Sequence, residues 1–138
     1  MENEIIHDPI ILSAKCAPVT GTDEDIDDAV ALSGVLLENS DRCVGLAANM
    51  IGIRKRIIVV LCDGFPLLML NPEIIKKSMQ YDTEEGCLSI PGVRKTRRYK
   101  KIKVKYLDLD MKPRIATYEG VTAQAIQHEI DHLDGILI

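Results

Sequence analysis

Residues 128–132 read His-Glu-Ile-Asp-His, a histidine pair four positions apart with an acid directly after the first histidine. Apolar residues recur with helical spacing between positions 121 and 133, which predicts a helix there, and Gly135 is placed to end it. Residues four apart share one face of a helix, so both imidazoles can bind one metal ion while Glu129 reaches a water on that ion. A pair of solvated or merely hydrogen-bonded histidines is the alternative. It fits less well, because the same stripe contains Val121 and Ala125 and is therefore predicted to face inward.

A third metal ligand has to be found, since a catalytic site of this type uses three protein ligands and leaves one position for water. The six residues after His132 contain neither histidine nor glutamate, which disfavours an ordinary endopeptidase with a downstream ligand. Cys87 is the best placed upstream candidate, because the preceding Gly86 allows the backbone to come close. Cys43 competes with it on spacing alone, and a buried inert thiol is the common fate of a lone cysteine.

The composition predicts one globular domain over residues 1–138 of the chain, which is 46% hydrophobic and 28% charged. A net charge of −4 gives no general attraction to nucleic acid or to an anionic membrane. The chain begins with acidic residues rather than a secretory signal, and no apolar run approaches the roughly 20 residues that span a bilayer. Four cysteines in such a chain indicate reduced thiols and a cytoplasmic location without membrane contact.

The pattern along the chain predicts an α+β fold. A helix is predicted over residues 22–38, with Thr22 as its cap and Asp25 three positions later. Short strands follow between positions 56 and 79, with a turn at 63–64 and a break at 71–72, and a hairpin joins 101–106 to 114–118. We therefore expect short, mostly antiparallel strands around a metal-binding C-terminal helix, with a second helix near the N-terminus. The apolar face predicted for the first helix comprises Ile26, Ala29, Val30, Leu32, Leu36 and Leu37.

Three segments of the sequence, in this order, resemble the signature motifs of peptide deformylases. They are residues 44–48 (Val-Gly-Leu-Ala-Ala), 85–89 (Glu-Gly-Cys-Leu-Ser) and 127–133 (Gln-His-Glu-Ile-Asp-His-Leu). The resemblance implies a metal-dependent hydrolase that removes the N-formyl group from the amino-terminal methionine of newly made polypeptides. It also implies a single deformylase-like domain that lacks the C-terminal helix of longer members.

The resemblance implies that Cys87, rather than Cys43, joins His128 and His132 as the metal ligands. Members of this family hold one divalent ion, Fe²⁺ in the cell and often Zn²⁺ or Ni²⁺ after purification. A water on such an ion has a pKa lowered towards about 7. In the family's reaction Glu129 would take the proton of that water and pass it to the leaving amine.

The resemblance also predicts how the negative charge on the formyl oxygen is stabilised. Besides the metal, it implies the backbone N–H of Leu88 and a side-chain amide two residues after the paired alanines, but Met50 stands at that position. A thioether cannot donate a hydrogen bond, and loss of one such donor typically costs about 10² to 10³ in turnover. We therefore expect reduced activity. The nearby amides are Asn49 and Gln124, and Gln124 is the candidate substitute.

The residues expected to contact substrate lie in the first and third motifs. Val44 and Gly45 would let an extended formyl-methionyl peptide or nascent chain pair with an edge strand. Val44, Val121 and Ala125 would line the pocket for the methionine side chain. A purely structural role for Gly45, tight packing of strand on helix, is an equally plain interpretation.

A dense basic run between positions 94 and 101 stands out on an acidic protein. It can dock phosphate-rich ribosomal RNA or an acidic peptide, or it can be a solvated strand face. The alternative to an enzyme is a non-catalytic deformylase-like protein that binds metal or peptide ends. The basic residues are Arg94, Lys95, Arg97, Arg98, Lys100 and Lys101.

Overall fold

The computed structural model describes residues 5–87, 89 and 91–138. It is an α+β fold with a five-stranded antiparallel sheet and a C-terminal helix, as predicted. Among the described helices, none combines the length and the apolar character needed to cross a bilayer. The elements in chain order are α1 (Pro9–Leu12), α2 (Asp23–Glu38), β1 (Gly45–Ala47), a 3₁₀ turn (Ala48–Ile51), β2 (Ile57–Cys62), β3 (Phe65–Gly86), β4 (Val93–Leu107), β5 (Pro113–Glu119) and α3 (Gly120–Leu133).

Helix α2 begins as the sequence predicts. The Thr22 hydroxyl accepts a hydrogen bond from the Asp25 N–H, and the Asp25 carboxylate accepts one from the Thr22 N–H, which forms a capping box. Its buried face is narrower than predicted, however. Val30 and Leu37 are about half exposed, at 56% and 52%, because the sheet covers only one stripe of the helix.

The five strands follow one another in the sheet in chain order. Asp63 and Gly64 join β2 to β3 with positive φ angles of 52° and 82°, the backbone that a tight hairpin turn requires. The predicted β4–β5 hairpin is confirmed, with Ile102 opposite Tyr118. In β4 the apolar side chains Ile102 and Val104 are buried and the alternating lysines are exposed.

The predicted break at Asn71-Pro72 is wrong, because β3 continues through it as one 22-residue strand. Irregular pairing with β4 between positions 70 and 76 absorbs the proline, and Asn71 takes a positive φ of 51°. The Asn71 side chain bonds both the N–H and the carbonyl of Val19. Strand β3 is thereby carried on to Gly86, one residue before Cys87.

Helix α3 packs against β1, β2 and β4 and contributes Ala123, Ile126 and Leu133 to the core. Gly135 follows its end with φ 77°, and a Cβ there would collide with the Ser13 carbonyl. The polar face of α3 is also enclosed by the sheet, and this is where the candidate site lies.

Candidate active site

Helix α3 brings His128 and His132 together on one buried face. The two Nε2 atoms lie 3.0 Å apart, and His128 and His132 are 7% and 0% exposed, respectively. The four-residue spacing of a helix produces this approach, as the sequence predicts. Val121, on the same stripe, is 70% exposed, so the stripe runs from the protein interior at His132 out to solvent at Val121.

Cys87 completes a group of three. Its Sγ lies 3.3 Å from His132 Nε2, and the three potential ligand atoms are all within 4.8 Å of one another. These separations, with one sulfur and two imidazole nitrogens, fit a single cation about 2.0 to 2.3 Å from each atom. Cys43 is not in this group, and its thiol donates instead to the Asn39 carbonyl.

The two imidazoles differ in charge. Burial and the neighbouring His128 lower the pKa of His132 to about 3, which keeps this ring neutral with a lone pair free for a cation. Burial also lowers the pKa of His128, but hydrogen bonds to Cys87 and Glu85 outweigh it and raise that pKa to about 10. A cation bound at His128 Nε2 would therefore displace a proton.

Glu85 and Arg98 form a buried ion pair behind the histidines. Glu85 Oε1 lies 2.8 Å from His128 Nδ1, and the Arg98 guanidinium donates to both Glu85 oxygens at 2.9 and 2.7 Å. Arg98 also donates to Asp131 of α3 at 2.7 Å. This network fixes the His128 ring and links β3 and β4 to the helix.

The structure corrects the interpretation of Arg98 as part of an exposed basic run. Arg98 is only 3% exposed, and it shares the inward side of β4 with Ile102 and Val104. Alternate residues of a strand face the same side, so position 98 falls on the side of Ile102 and Val104. This pattern in the sequence could have identified Arg98 as buried. Sequence reasoning likewise missed the contact between Glu85 and His128.

Glu129 points into the same space. The residue is 4% exposed, and its Oε1 has no hydrogen-bond partner within the described parts of the chain. Burial raises the pKa of this carboxyl to about 7, against opposing attraction from His128. A carboxyl of that pKa can both accept and return a proton near neutral pH.

Gly45 lies directly against Glu129. A Cβ built on Gly45 would be 3.0 Å from Glu129 Oε2 and 3.1 Å from Val60 Cγ1. The absence of a side chain at this position therefore leaves room for the Glu129 carboxylate. This close packing of strand on helix agrees with the structural interpretation of the glycine.

A cavity of about 570 Å³ opens beside these groups. Every residue predicted to contact substrate lines it: Val44, Gly45, Val121 and Ala125. Val44 and Val121 are exposed at its outer part, and Ala125 is buried. Further lining comes from Arg42, Cys43, Met50, Glu84, Glu85, Gly86, Cys87, Gln124, His128 and Glu129.

Three side chains near the cavity occupy positions considered for contact with the formyl oxygen in the expected reaction. Met50 is 1% exposed, and its sulfur accepts the Ala47 N–H at 3.4 Å. Asn49 points away from the cavity and donates to the His132 carbonyl, while Gln124 donates to Glu85. Leu88, whose backbone N–H was predicted to donate, lies outside the described residues.

A family model described as polypeptide deformylase matches residues 3–138. The chain belongs to this family. Deformylases of this kind are metal-dependent hydrolases, and the Cys87, His128 and His132 group gives this member a candidate metal site. The second and third sequence motifs thus come together in three dimensions at this site.

Two curated relatives match almost end to end. A peptide deformylase of Clostridium beijerinckii is 45% identical over 138 residues, which is 100% of both chains. Peptide deformylase 1 of Clostridium perfringens is 42% identical over 146 residues, covering 99% of this chain and 95% of the relative.

Solved deformylase structures share the fold. A class I type b enzyme from Acinetobacter baumannii with Met-Ala-Ser bound superimposes with a TM-score of 0.89 at 32% identity, covering 99% of this chain and 97% of the other. The deformylase of the Vibrio parahaemolyticus bacteriophage VP16T, in complex with actinonin, gives 0.87 at 34% identity, covering 98% and 99%.

Proposed function

We propose that this deformylase removes the formyl group from the amino-terminal methionine of newly made polypeptides. The observation that carries the proposal is the convergence of Cys87, His128 and His132 at the wall of an open cavity. Beside them lies the Glu129 carboxylate, whose Oε1 has no partner among the described residues. The Acinetobacter relative with bound Met-Ala-Ser, a peptide that begins with an unformylated methionine, supports a peptide as substrate.

The three converging side chains are the proposed ligands of one divalent ion. A thiolate with two imidazoles suits iron, zinc and nickel, and we propose Fe²⁺ as the ion in the cell. Such an ion would supply a Lewis acid for the formyl oxygen and lower the pKa of a coordinated water. Glu85 would hold His128 in the tautomer that presents Nε2 to the ion.

Glu129 is the proposed general base and then general acid. It would take a proton from the attacking water as oxygen bonds to the formyl carbon, and deliver that proton to the amine nitrogen as the C–N bond breaks. The products are formate and a peptide with a free amino terminus. A pKa near 7 suits a group that must do both.

Stabilisation of the oxyanion is the proposed weak point. Beside the ion, the backbone N–H of Leu88 is the remaining candidate donor, while Met50 offers sulfur and no proton. Gln124 is a constrained substitute, because one of its two amide N–H groups donates to Glu85 at 2.8 Å and only the other remains for the oxyanion. We therefore expect turnover below that of a deformylase with an amide at position 50.

The substrate would lie along the outer edge of β1. Among the described strands, β1 pairs with β2 alone, so its other edge can accept an extended peptide at Gly45 and at Val44, which precedes the strand. The methionine side chain would enter the cavity between Val44, Val121 and Ala125.

We place this reaction in the cytoplasm, where nascent chains emerge. Contact with the ribosome would use the exposed cations of the 94–101 segment without Arg98. Two of these are already near acids, Arg97 at 3.5 Å from Asp82 and Lys101 at 3.6 Å from Glu119. Ribosome contact thus has weaker support than peptide binding.

A formate-release assay on formyl-Met-Ala-Ser tests the proposal, using protein loaded anaerobically with Fe²⁺. We expect formate from the wild type and at least a 10²-fold loss in Glu129→Gln, which removes the proton carrier but keeps the ligands. The Met50 thioether favours one competing function, a metal-retaining protein that binds peptide ends without cleaving them. Metal retention with no formate above the uncatalysed rate, in both the wild type and Met50→Gln, would favour that alternative.

A further inference from the structure

Residues 42–45 form one wall of the cavity, from the protein surface to the reacting groups. Gly45 is buried and lies against Glu129, whereas Arg42 and Val44 are exposed. The wall therefore has an inner end at the candidate catalytic carboxylate and an outer end at Arg42.

Arg42 brings a positive charge that has no acidic partner in the part of the chain that the structure describes. Within residues 5–87, 89 and 91–138, its guanidinium contacts the side-chain oxygen of Asn39, a neutral amide, and forms no ion pair within 4 Å. Among the described residues that line the cavity, Arg42 is the only lysine or arginine. A neutral contact leaves the electrostatic attraction of Arg42 available to a ligand.

The acidic residues among those lining the cavity are Glu84, Glu85 and Glu129. Glu85 is neutralised by Arg98 at 2.7 Å, and Glu84 lies opposite Lys95 in the β3–β4 pairing. Glu129 is at the inner end, beside the proposed ion. At residues 42–44 the wall thus carries the positive charge of Arg42, while the exposed Glu84 carboxylate lies on the β3 side of the cavity.

The distance between the candidate reaction centre and Arg42 determines which residues of a bound peptide Arg42 can contact. Arg42 lies three residues before Gly45, and an extended chain rises about 3.3 Å per residue, which gives a span of about 10 Å at most. A peptide whose first residue reacts beside Gly45 has its second and third residues within that span.

We infer that Arg42 is a specificity-determining residue, which favours peptides with an acidic side chain at the second or third position and disfavours basic ones. The inference rests on the proposed function and deepens it, because it concerns which formyl-methionyl peptides the same site prefers. An exposed charge pair of this kind changes kcat/KM about twofold to fivefold, and salt weakens the effect.

The test compares formyl-Met-Ala-Asp with formyl-Met-Ala-Lys, and formyl-Met-Asp-Ala with formyl-Met-Lys-Ala, at low and high ionic strength. For the wild type we expect a kcat/KM ratio of acidic to basic peptide of about 2 to 5 in at least one pair. Arg42→Glu should invert that ratio and Arg42→Gln should bring it near 1. High salt should bring all ratios towards 1.

Lys103→Glu is the matched control, since it makes the same charge change on an exposed position of β4 that does not line the cavity. It should keep the wild-type ratio. A wild-type ratio of 1 in both pairs, or the same ratios in Arg42→Glu and Lys103→Glu, would overturn the inference.

Calorimetric affinities of the unformylated peptides Met-Ala-Asp and Met-Ala-Lys, and of Met-Asp-Ala and Met-Lys-Ala, separate this inference from the proposed function. If no peptide releases formate but an acidic peptide binds more tightly in an Arg42-dependent way, deformylation fails and the charge preference stands. Equal affinities within both pairs would overturn the charge preference even in an active enzyme.

Discussion

Met50 puts a buried thioether at the cavity wall, where a side-chain amide would serve the reaction. We predict that Met50→Gln raises kcat for formyl-Met-Ala-Ser by at least tenfold, because the new amide can donate to the developing oxyanion. Its carbonyl oxygen could still accept the Ala47 N–H that now bonds the sulfur. The measurement is formate release at equal metal content.

Met50→Leu serves as the control for this change, because it keeps an apolar side chain of similar size and supplies no donor. It should turn over like the wild type. Equal kcat for the wild type and Met50→Gln would show that position 50 takes no part in stabilising the oxyanion.

Glu85 supports the metal site through His128. We predict that Glu85→Gln weakens Zn²⁺ binding about 10- to 100-fold, because the carboxylate that orients the His128 ring is lost. A competition titration with a chromophoric chelator measures the change. Glu84→Gln alters the neighbouring, exposed carboxylate and should leave the affinity unchanged, so equal losses in both variants would contradict this role.

Gly45 leaves the space that Glu129 occupies. We predict that Gly45→Ala lowers kcat by about 10- to 100-fold with metal content retained, because the new Cβ displaces the carboxylate. Gly34→Ala is the matched control, since nothing lies within 4 Å of a Cβ there in α2. It should keep kcat and raise the free energy of unfolding by up to about 1 kcal/mol. Full activity in Gly45→Ala would be incompatible with the proposed close fit.

At the scale of elements, local sequence signals predicted helices α2 and α3 and the β4–β5 hairpin, but not the short helix α1. Thr22 and Asp25 cap α2 through contacts three residues apart, which a sequence displays directly. The continuity of β3 through Asn71-Pro72 could not be predicted in this way. It depends on the contact between Asn71 and Val19, 52 positions away, and on irregular pairing with another strand.

The start of α2 also carries a pH-dependent contribution to stability. Hydrogen bonding to Lys55, and to the backbone N–H groups of residues 20–22, outweighs burial and lowers the pKa of Asp25. Because the folded pKa lies below the unfolded value, the ionised carboxylate stabilises the fold above about pH 4, and this stabilisation is lost as pH falls.

We predict that Asp25→Asn lowers the free energy of unfolding by about 1 to 3 kcal/mol at pH 7, and by less at pH 3. Urea denaturation of metal-free protein at both pH values measures the difference. Asp27→Asn, on the exposed side of the same helix, should change stability by less than about 0.5 kcal/mol. A deficit in Asp25→Asn that does not shrink at pH 3 would contradict the assigned role.

At the scale of the whole molecule, the site joins segments that are far apart in the chain. The histidine spacing predicted its helical half, because residues four apart must meet on one face. Spacing alone left Cys43 and Cys87 open, since the choice depends on where β3 ends relative to α3. The structure brings Cys87 to 3.3 Å from His132, and the same long-range packing buries Arg98 beneath the histidines.

X-ray absorption at the zinc edge, on protein reconstituted with one Zn²⁺ per chain, tests the three-residue metal centre most directly. The structure predicts one sulfur at about 2.3 Å and two imidazole nitrogens at about 2.0 to 2.1 Å, with the sulfur signal lost in Cys87→Ala and kept in Cys43→Ala. A wild-type spectrum without a sulfur neighbour, or one whose sulfur depends on Cys43, would contradict the account.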